Sequence, residues 1–120
     1  SSATEEIFLF AKSPTYFYNP NGVREATGAN LRNYWILGPD ISGNGHPAAY
    51  PRELARRCVL LGSRKGDTVL DPFGGSGTTG LVASELDRNA IMIELNPAYA
   101  QMGRKRVRHG KEARIKETHS

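Results

Sequence analysis

Residues 67–80 read Asp-Thr-Val-Leu-Asp-Pro-Phe-Gly-Gly-Ser-Gly-Thr-Thr-Gly, and this stretch decides the fold. A short apolar run, Thr68, Val69 and Leu70, ends in an acid, Asp71. A glycine-rich turn follows. In it Gly75, Gly77 and Gly80 stand at the G-x-G-x-x-G spacing that carries a chain from a strand through a tight turn into a helix. Glycine permits the tight turn and lets a ligand lie against bare backbone. The spacing predicts a helix over 76–86, with Ser76 as N-cap and Leu81, Val82 and Leu86 on its apolar face. Residues 89–94, Asn-Ala-Ile-Met-Ile-Glu, read as a second apolar strand closed by Glu94.

The two acids narrow the ligand. A dinucleotide would lay its pyrophosphate on the turn, where Asp71 repels it. S-adenosylmethionine carries no phosphate, and its sulfonium and ammonium suit a carboxylate. Glu94 lies 19 residues after Gly75, near the spacing at which a second-strand acid meets ribose hydroxyls. A Walker phosphate loop is excluded, because no Gly-Lys-Ser/Thr follows the turn. An NAD-dependent oxidoreductase remains a rival, and Asp71 argues against it.

Asp71-Pro72-Phe73-Gly74-Gly75-Ser76-Gly77-Thr78-Thr79 resembles the cofactor motif of the DNA amino-methyltransferases, which methylate adenine N6 or cytosine N4. His46-Pro47-Ala48-Ala49-Tyr50-Pro51 is similar to the motif that precedes it in the β-class order, where the catalytic half comes first and the cofactor half last. Glu94-Leu95-Asn96-Pro97-Ala98-Tyr99 resembles the family's ribose-acid segment and the start of the next helix. The likeness covers about residues 5–108, and includes a strand and loop at 8–18 that look like the exit from the catalytic half.

The resemblance implies an α/β chain with a partial Rossmann-like S-adenosylmethionine-dependent methyltransferase fold. It implies S-adenosyl-L-methionine as cofactor and double-stranded DNA as partner. The cofactor-binding residues it implies are His46, Tyr50, Asp71, Phe73, Gly74, Gly75, Ser76, Gly77, Thr78, Glu94 and Asn96. His46 and Tyr50 are expected near the methionine carboxylate, and Asp71 at the methionine ammonium. Asn96 is expected to flank the adenine or to start a helix.

The family's catalytic tetrapeptide, Asp/Asn/Ser-Pro-Pro-Tyr/Phe, is not in this chain, so no catalytic residue is assigned. Ser13-Pro14-Thr15-Tyr16 lacks the second proline and reads as a loop. The expectation is a cofactor half whose catalytic motif lies in a missing N-terminal half or on a second chain. A non-catalytic adenosyl-binding or DNA-associated remnant is the alternative.

The organisation follows. Residues 1–45 read as the end of a catalytic half and a linker, 46–108 as the cofactor subdomain and 109–120 as a basic tail. Strands are expected at 6–12 and 34–37, and a Gly-rich link at 38–45. Pro51 opens a helix whose stripe of Leu54, Cys58 and Leu61 faces the core, and Gly62 ends it. Pro97 opens a last helix to about Arg108. In all, three or four strands and three helices fit 120 residues. The net charge of +4 permits nucleic-acid binding, and seven of the 16 basic residues lie within 104–116. With one cysteine, no signal peptide and no long apolar stretch, a cytoplasmic chain with no disulfide and no membrane partner is expected. No Cys/His cluster suggests a metal.

Overall fold

From Pro51 onward the chain alternates helix and strand: α1 (Arg52–Gly62), β1 (Thr68–Asp71), α2 (Thr78–Glu85), β2 (Asn89–Met92) and α3 (Pro97–His119). The computed structural model describes residues 5–23, 33–38, 50–75 and 77–119, and for 113–119 the backbone alone. His46, Ser76 and most of the 38–45 link lie outside the described residues.

β1 and β2 pair in parallel, with Thr68 opposite Asn89, Leu70 opposite Ile91 and Asp71 opposite Met92. Parallel neighbours need a crossover, and α2 supplies it. The pairing continues past the strand ends through Asn89 N–H to the Asp67 carbonyl (2.8 Å) and Ile93 N–H to the Asp71 carbonyl (2.9 Å). Alternation sets the faces. Val69 and Met92 are half-buried, whereas Leu70 and Ile91 point to the other side and stay exposed.

Helix α2 is the centre of the fold. It touches α1, α3 and β2, and Thr78, Thr79, Gly80, Val82, Ala83 and Ser84 are all buried. Its residues are small because three elements crowd it. A Cβ on Gly80 would run into the Met92 side-chain tip and Val107, and one on Gly110 into Leu81. Gly77 meets backbone rather than side chains. A Cβ there would lie 2.6 Å from the Gly103 Cα, so α3 crosses the start of α2 with backbone against backbone. Helix α2 ends in a Schellman turn. Arg88 N–H reaches the Ala83 carbonyl (2.8 Å), Asp87 N–H reaches that of Ser84 (3.2 Å), and Asp87 takes the left-handed backbone at φ 64°.

Helix α1 is tied on by polar contacts. Arg52 donates to both carboxylate oxygens of Glu85, each at 2.7 Å. Arg88 donates to the Ser63 hydroxyl (3.1 Å), the Ser63 carbonyl (2.7 Å) and the Leu86 carbonyl (2.7 Å), pinning the end of α1 to the α2–β2 connection. Arg56 and Arg57 both pair with Glu53 on the helix surface. The 3₁₀ turn Pro20–Gly22 docks on the same end through Asn19 N–H to the Leu61 carbonyl (2.9 Å), and buries Val23.

Several expectations change. The buried stripe of α1 is Ala55, Val59 and Leu61. Cys58 is not core; it is exposed. Among the described residues the sheet has two strands, because 6–12 and 34–37 form no ladder, and Phe8, Phe10 and Ile36 stand exposed. Ser13–Tyr16 is a loop, as its sequence suggests. Helix α2 begins at Thr78 with Gly77, at φ 89°, as its N-cap, two residues later than expected. Helix α3 runs to His119, so the backbone of 109–119 continues a helix rather than a separate tail. No described helix is long and apolar enough to cross a membrane.

Substituting Gly77 tests the central crossing. Gly77→Ala adds a left-handed backbone penalty and a Cβ that meets backbone, and is expected to lower stability by about 2–4 kcal/mol. Gly62→Ala is the control, since a Cβ there meets nothing within 4 Å. It should stay within about 1 kcal/mol of the parent in thermal or denaturant unfolding.

Candidate functional site

The loop after β1 and the acid after β2 meet at the carboxyl end of the sheet, the edge where open α/β sheets take ligands. Asp71 is the last residue of β1 and half-buried. Its Oδ1 accepts the Phe73 N–H at 2.9 Å, which folds the start of the turn onto the strand tip. Its Oδ2 accepts the Thr79 hydroxyl at 2.6 Å and the Tyr50 hydroxyl at 3.0 Å. The Tyr50 and Thr79 hydroxyls are also hydrogen-bonded to each other. Tyr50 comes from the approach to α1 and Thr79 from the first turn of α2, so three segments converge on one carboxylate. Burial, together with the Asp71 charge, raises the Tyr50 phenol above its ordinary value and keeps it a donor at neutral pH.

An ionised carboxylate offers about four acceptor positions. The donors described here leave at least one, enough for a cationic N–H. Among the described residues no lysine or arginine pairs with Asp71.

The glycines divide by what lies beside them. A Cβ on Gly74 would sit 2.9 Å from the Met92 Cβ, and Gly77 is closed by Gly103. Both are required by packing. Gly75, at φ 55°, faces open space, with the Phe73 carbonyl its nearest neighbour at 3.9 Å. Gly75 alone of the three has bare backbone available to a ligand. Phe73 is 83% exposed beside it.

Glu94 lies across the turn from Asp71. Its Oε2 accepts the Gly75 N–H at 3.0 Å and its Oε1 the Asn96 N–H at 3.1 Å. Each oxygen therefore keeps a lone pair, and the side chain ties the turn to the end of β2. Asn96 starts a helix: its Oδ1 accepts the N–H groups of Ala98 (2.9 Å) and Tyr99 (3.4 Å), with Pro97 at the first helical position. Thr78 is buried, and its hydroxyl accepts from Arg106 of α3 at 3.3 Å, away from the turn.

The structure thus gathers Tyr50, Asp71, Phe73, Gly75 and Glu94 around one turn. It gives Gly74, Gly77, Thr78 and Asn96 packing or capping contacts. The residue that sequence reasoning missed is Thr79. The Thr78-Thr79 pair carried the signal, but helix phase decides which hydroxyl faces the acid. Consecutive helical residues point about 100° apart, so Thr78 turns to α3 and Thr79 to β1.

Beside this cluster an open groove of about 430 Å³ runs between α1 and β1, lined by Leu54, Cys58, Val69 and Leu70 and ending at Asp71. Its walls raise the Cys58 thiol by desolvation.

A parallel β1–α2–β2 crossover with one acid at the end of β1 and another just past β2 is the architecture of a doubly wound α/β protein. The chain belongs to the DNA methylase family, whose model matches residues 1–105. It is 43% identical over 109 residues to the type II methyltransferase M.SmaI of Serratia marcescens, covering 86% of this chain and 37% of the relative. It is 39% identical to M.Cfr9I of Citrobacter freundii, covering 86% of this chain and 36% of that protein. The chain therefore spans little more than a third of the length of these relatives. The crystal structure of the M1.HpyAVI–SAM complex superposes with a TM-score of 0.60 at 33% identity, over 80% of this chain and 45% of that one. The fold is accordingly the partial Rossmann-like methyltransferase fold expected from the sequence.

Glu94→Ala tests the tie across the turn. It should speed hydrogen exchange at the Gly75 amide by on the order of tenfold, as one charge-assisted hydrogen bond is lost. Exchange in the middle of α2 should change far less.

Proposed function

We propose that this chain is the cofactor-binding part of an S-adenosylmethionine-dependent DNA methyltransferase acting on the exocyclic amino group of adenine (N6) or cytosine (N4). One observation carries the reading: two carboxylates tied to one turn, Asp71 through the Phe73 amide and with no cationic partner among the described residues, and Glu94 through the amide of the open-sided Gly75. That donor set fits a ligand with a cation at one end and a diol at the other, and it repels a pyrophosphate. Asp71 would hold the methionine ammonium, the bare backbone of Gly75 would admit the methionine chain, and Phe73 would lie against its apolar surface. Glu94 would accept from the two ribose hydroxyls with the lone pairs that Gly75 and Asn96 leave free. When bound, the cofactor supplies an electrophilic methyl group on sulfonium. The chain's own residues orient that donor and favour its charge.

Orientation of the target base falls to other residues, because the Asp/Asn/Ser-Pro-Pro-Tyr/Phe tetrapeptide is not among the 120. The sheet supports a complementary portion as partner. A parallel sheet is ordinarily covered on both faces. Here Leu70 is 60% exposed, Ile91 56% and Ile93 51%, all on the face away from α2. The edge of β1 opposite β2 carries no strand among the described residues. The remaining length of a relative-sized protein is the occupant proposed for that edge and for the α1–β1 groove, a strand beside β1 filling the groove. Exposed Arg104, Lys105, Arg108 and Lys111 on α3 support a sequence-independent attraction for DNA phosphates.

Calorimetry should show the chain binding S-adenosylhomocysteine, and Glu94→Ala should cost about 2–4 kcal/mol of that affinity. Binding of NAD without adenosyl binding would overturn the reading. In a labelled-methyl assay on mixed-sequence duplex DNA, the 120 residues alone should give no incorporation. Supplying the N-terminal portion of a relative, in cis or as a second chain, should restore it. Adenosyl binding without restored transfer would favour a non-catalytic module. Any DNA binding by the chain should weaken steeply between 50 and 200 mM salt.

A further inference from the structure

Tyr50 stands apart from the other site residues in what its polar atom does. Its hydroxyl is directed not at the open face of the turn but at Asp71 and Thr79. Thr79 is buried, and with Tyr50 it borders the α1–β1 groove rather than the Gly75 side of the turn. The two hydroxyls share one carboxylate oxygen, Oδ2, while Oδ1 is engaged by the Phe73 amide. A strand-tip aspartate is free to rotate about χ1 and χ2 unless something holds both oxygens. Among the described residues β1 has a strand neighbour on one side only. The holding is done by side chains from α1's approach and from α2.

We infer that Tyr50 and Thr79 are positioning residues. They lock the Asp71 carboxylate in the rotamer that presents its remaining lone pair to a ligand ammonium, and so act on the amino-acid end of the cofactor through Asp71. The inference rests on the assignment of Asp71 to the methionine ammonium. It adds a residue, Thr79, and gives Tyr50 an indirect role in place of contact with the methionine carboxylate. Proton count supports it. The phenol and the threonine hydroxyl hold two hydrogens for three mutual contacts, so both are taken up within the Tyr50, Thr79 and Asp71 cluster. Neither hydrogen is left for a ligand.

The test compares two ligands on the 120-residue chain. S-adenosylhomocysteine carries the ammonium; 5′-methylthioadenosine has the same nucleoside and no amino-acid end. Tyr50→Phe and Thr79→Val should each weaken the first by about five- to twentyfold, the loss of one hydrogen bond to a charged group, and leave the second unchanged. Thr79→Ser should bind like the parent, since it keeps the hydroxyl. In an Asp71→Asn background, Tyr50→Phe should add little. Equal weakening of both ligands, or no change in either, overturns the inference. Selective weakening by Asp71→Asn alone overturns it while leaving the ammonium assignment standing. No effect of Asp71→Asn, or no binding of S-adenosylhomocysteine by the parent, overturns the assignment and the inference together.

Discussion

The contact between the bare backbones of Gly77 and Gly103 governs the arrangement of this half-sheet. A side chain at Gly77 would push α3 off the start of α2. With none there, the helices cross closely enough for Thr78 to meet Arg106 and for Gly80 to seat Met92 and Val107. Met92 sits opposite Asp71 in the ladder, and its Cβ closes the open side of Gly74. The turn between Asp71 and Gly77 is therefore set by backbone clearances at both ends, and only its middle, at Gly75, is left open. A glycine run that reads as a ligand loop is mostly a packing device, with one residue left open.

The two acids use the same turn differently. Glu94 is held by backbone amides alone, from Gly75 and Asn96, and these are fixed once the turn and the α3 cap are formed. Asp71 takes one amide and two hydroxyls, and the hydroxyls come from elements that have no backbone pairing with β1. Glu94 thus depends on local geometry. Asp71 depends on the docking of α1 and α2, which Arg52–Glu85 and the Arg88 contacts secure.

How much of this was readable in the sequence follows from the range of each signal. β1, α2 and β2 were readable because strand, glycine turn and acid are adjacent in the chain and local chemistry decides them. The coupling of Gly75 to Glu94 was partly readable, since the 19-residue spacing brings both to one end of the sheet. The inward face of α1 was not. Leu54, Cys58 and Leu61 follow helical spacing, but helix phase sets Ala55 and Val59 against α2, and Cys58 faces a groove that no described element fills. The apolar runs at 6–12 and 34–37 carry strand composition, yet a strand exists only with a partner, and no described segment pairs with them. The end of α3 was missed because a basic run reads as a solvated tail, although Lys and Arg are good helix formers. Ser76 was expected to cap α2 on residue preference, and Gly77 holds that position because the crossing with Gly103 admits nothing larger.

The open edge of β1 connects these observations. In a filled parallel sheet a central strand is flanked on both sides, and its terminal side chain is fixed by the ends of its neighbours. Among the described residues β1 has β2 on one side and no strand on the other, and the Asp71 carboxylate is held by the Phe73 amide with Tyr50 and Thr79. These contacts are made without a strand on the second edge of β1. Covering Leu70, Ile91 and the groove then adds stability through burial of apolar surface, at roughly 25 cal/mol per Å², without having to reorient the carboxylate. Under the proposed function, the boundary between the part that holds the methyl donor and the part that handles the base would fall along this strand edge.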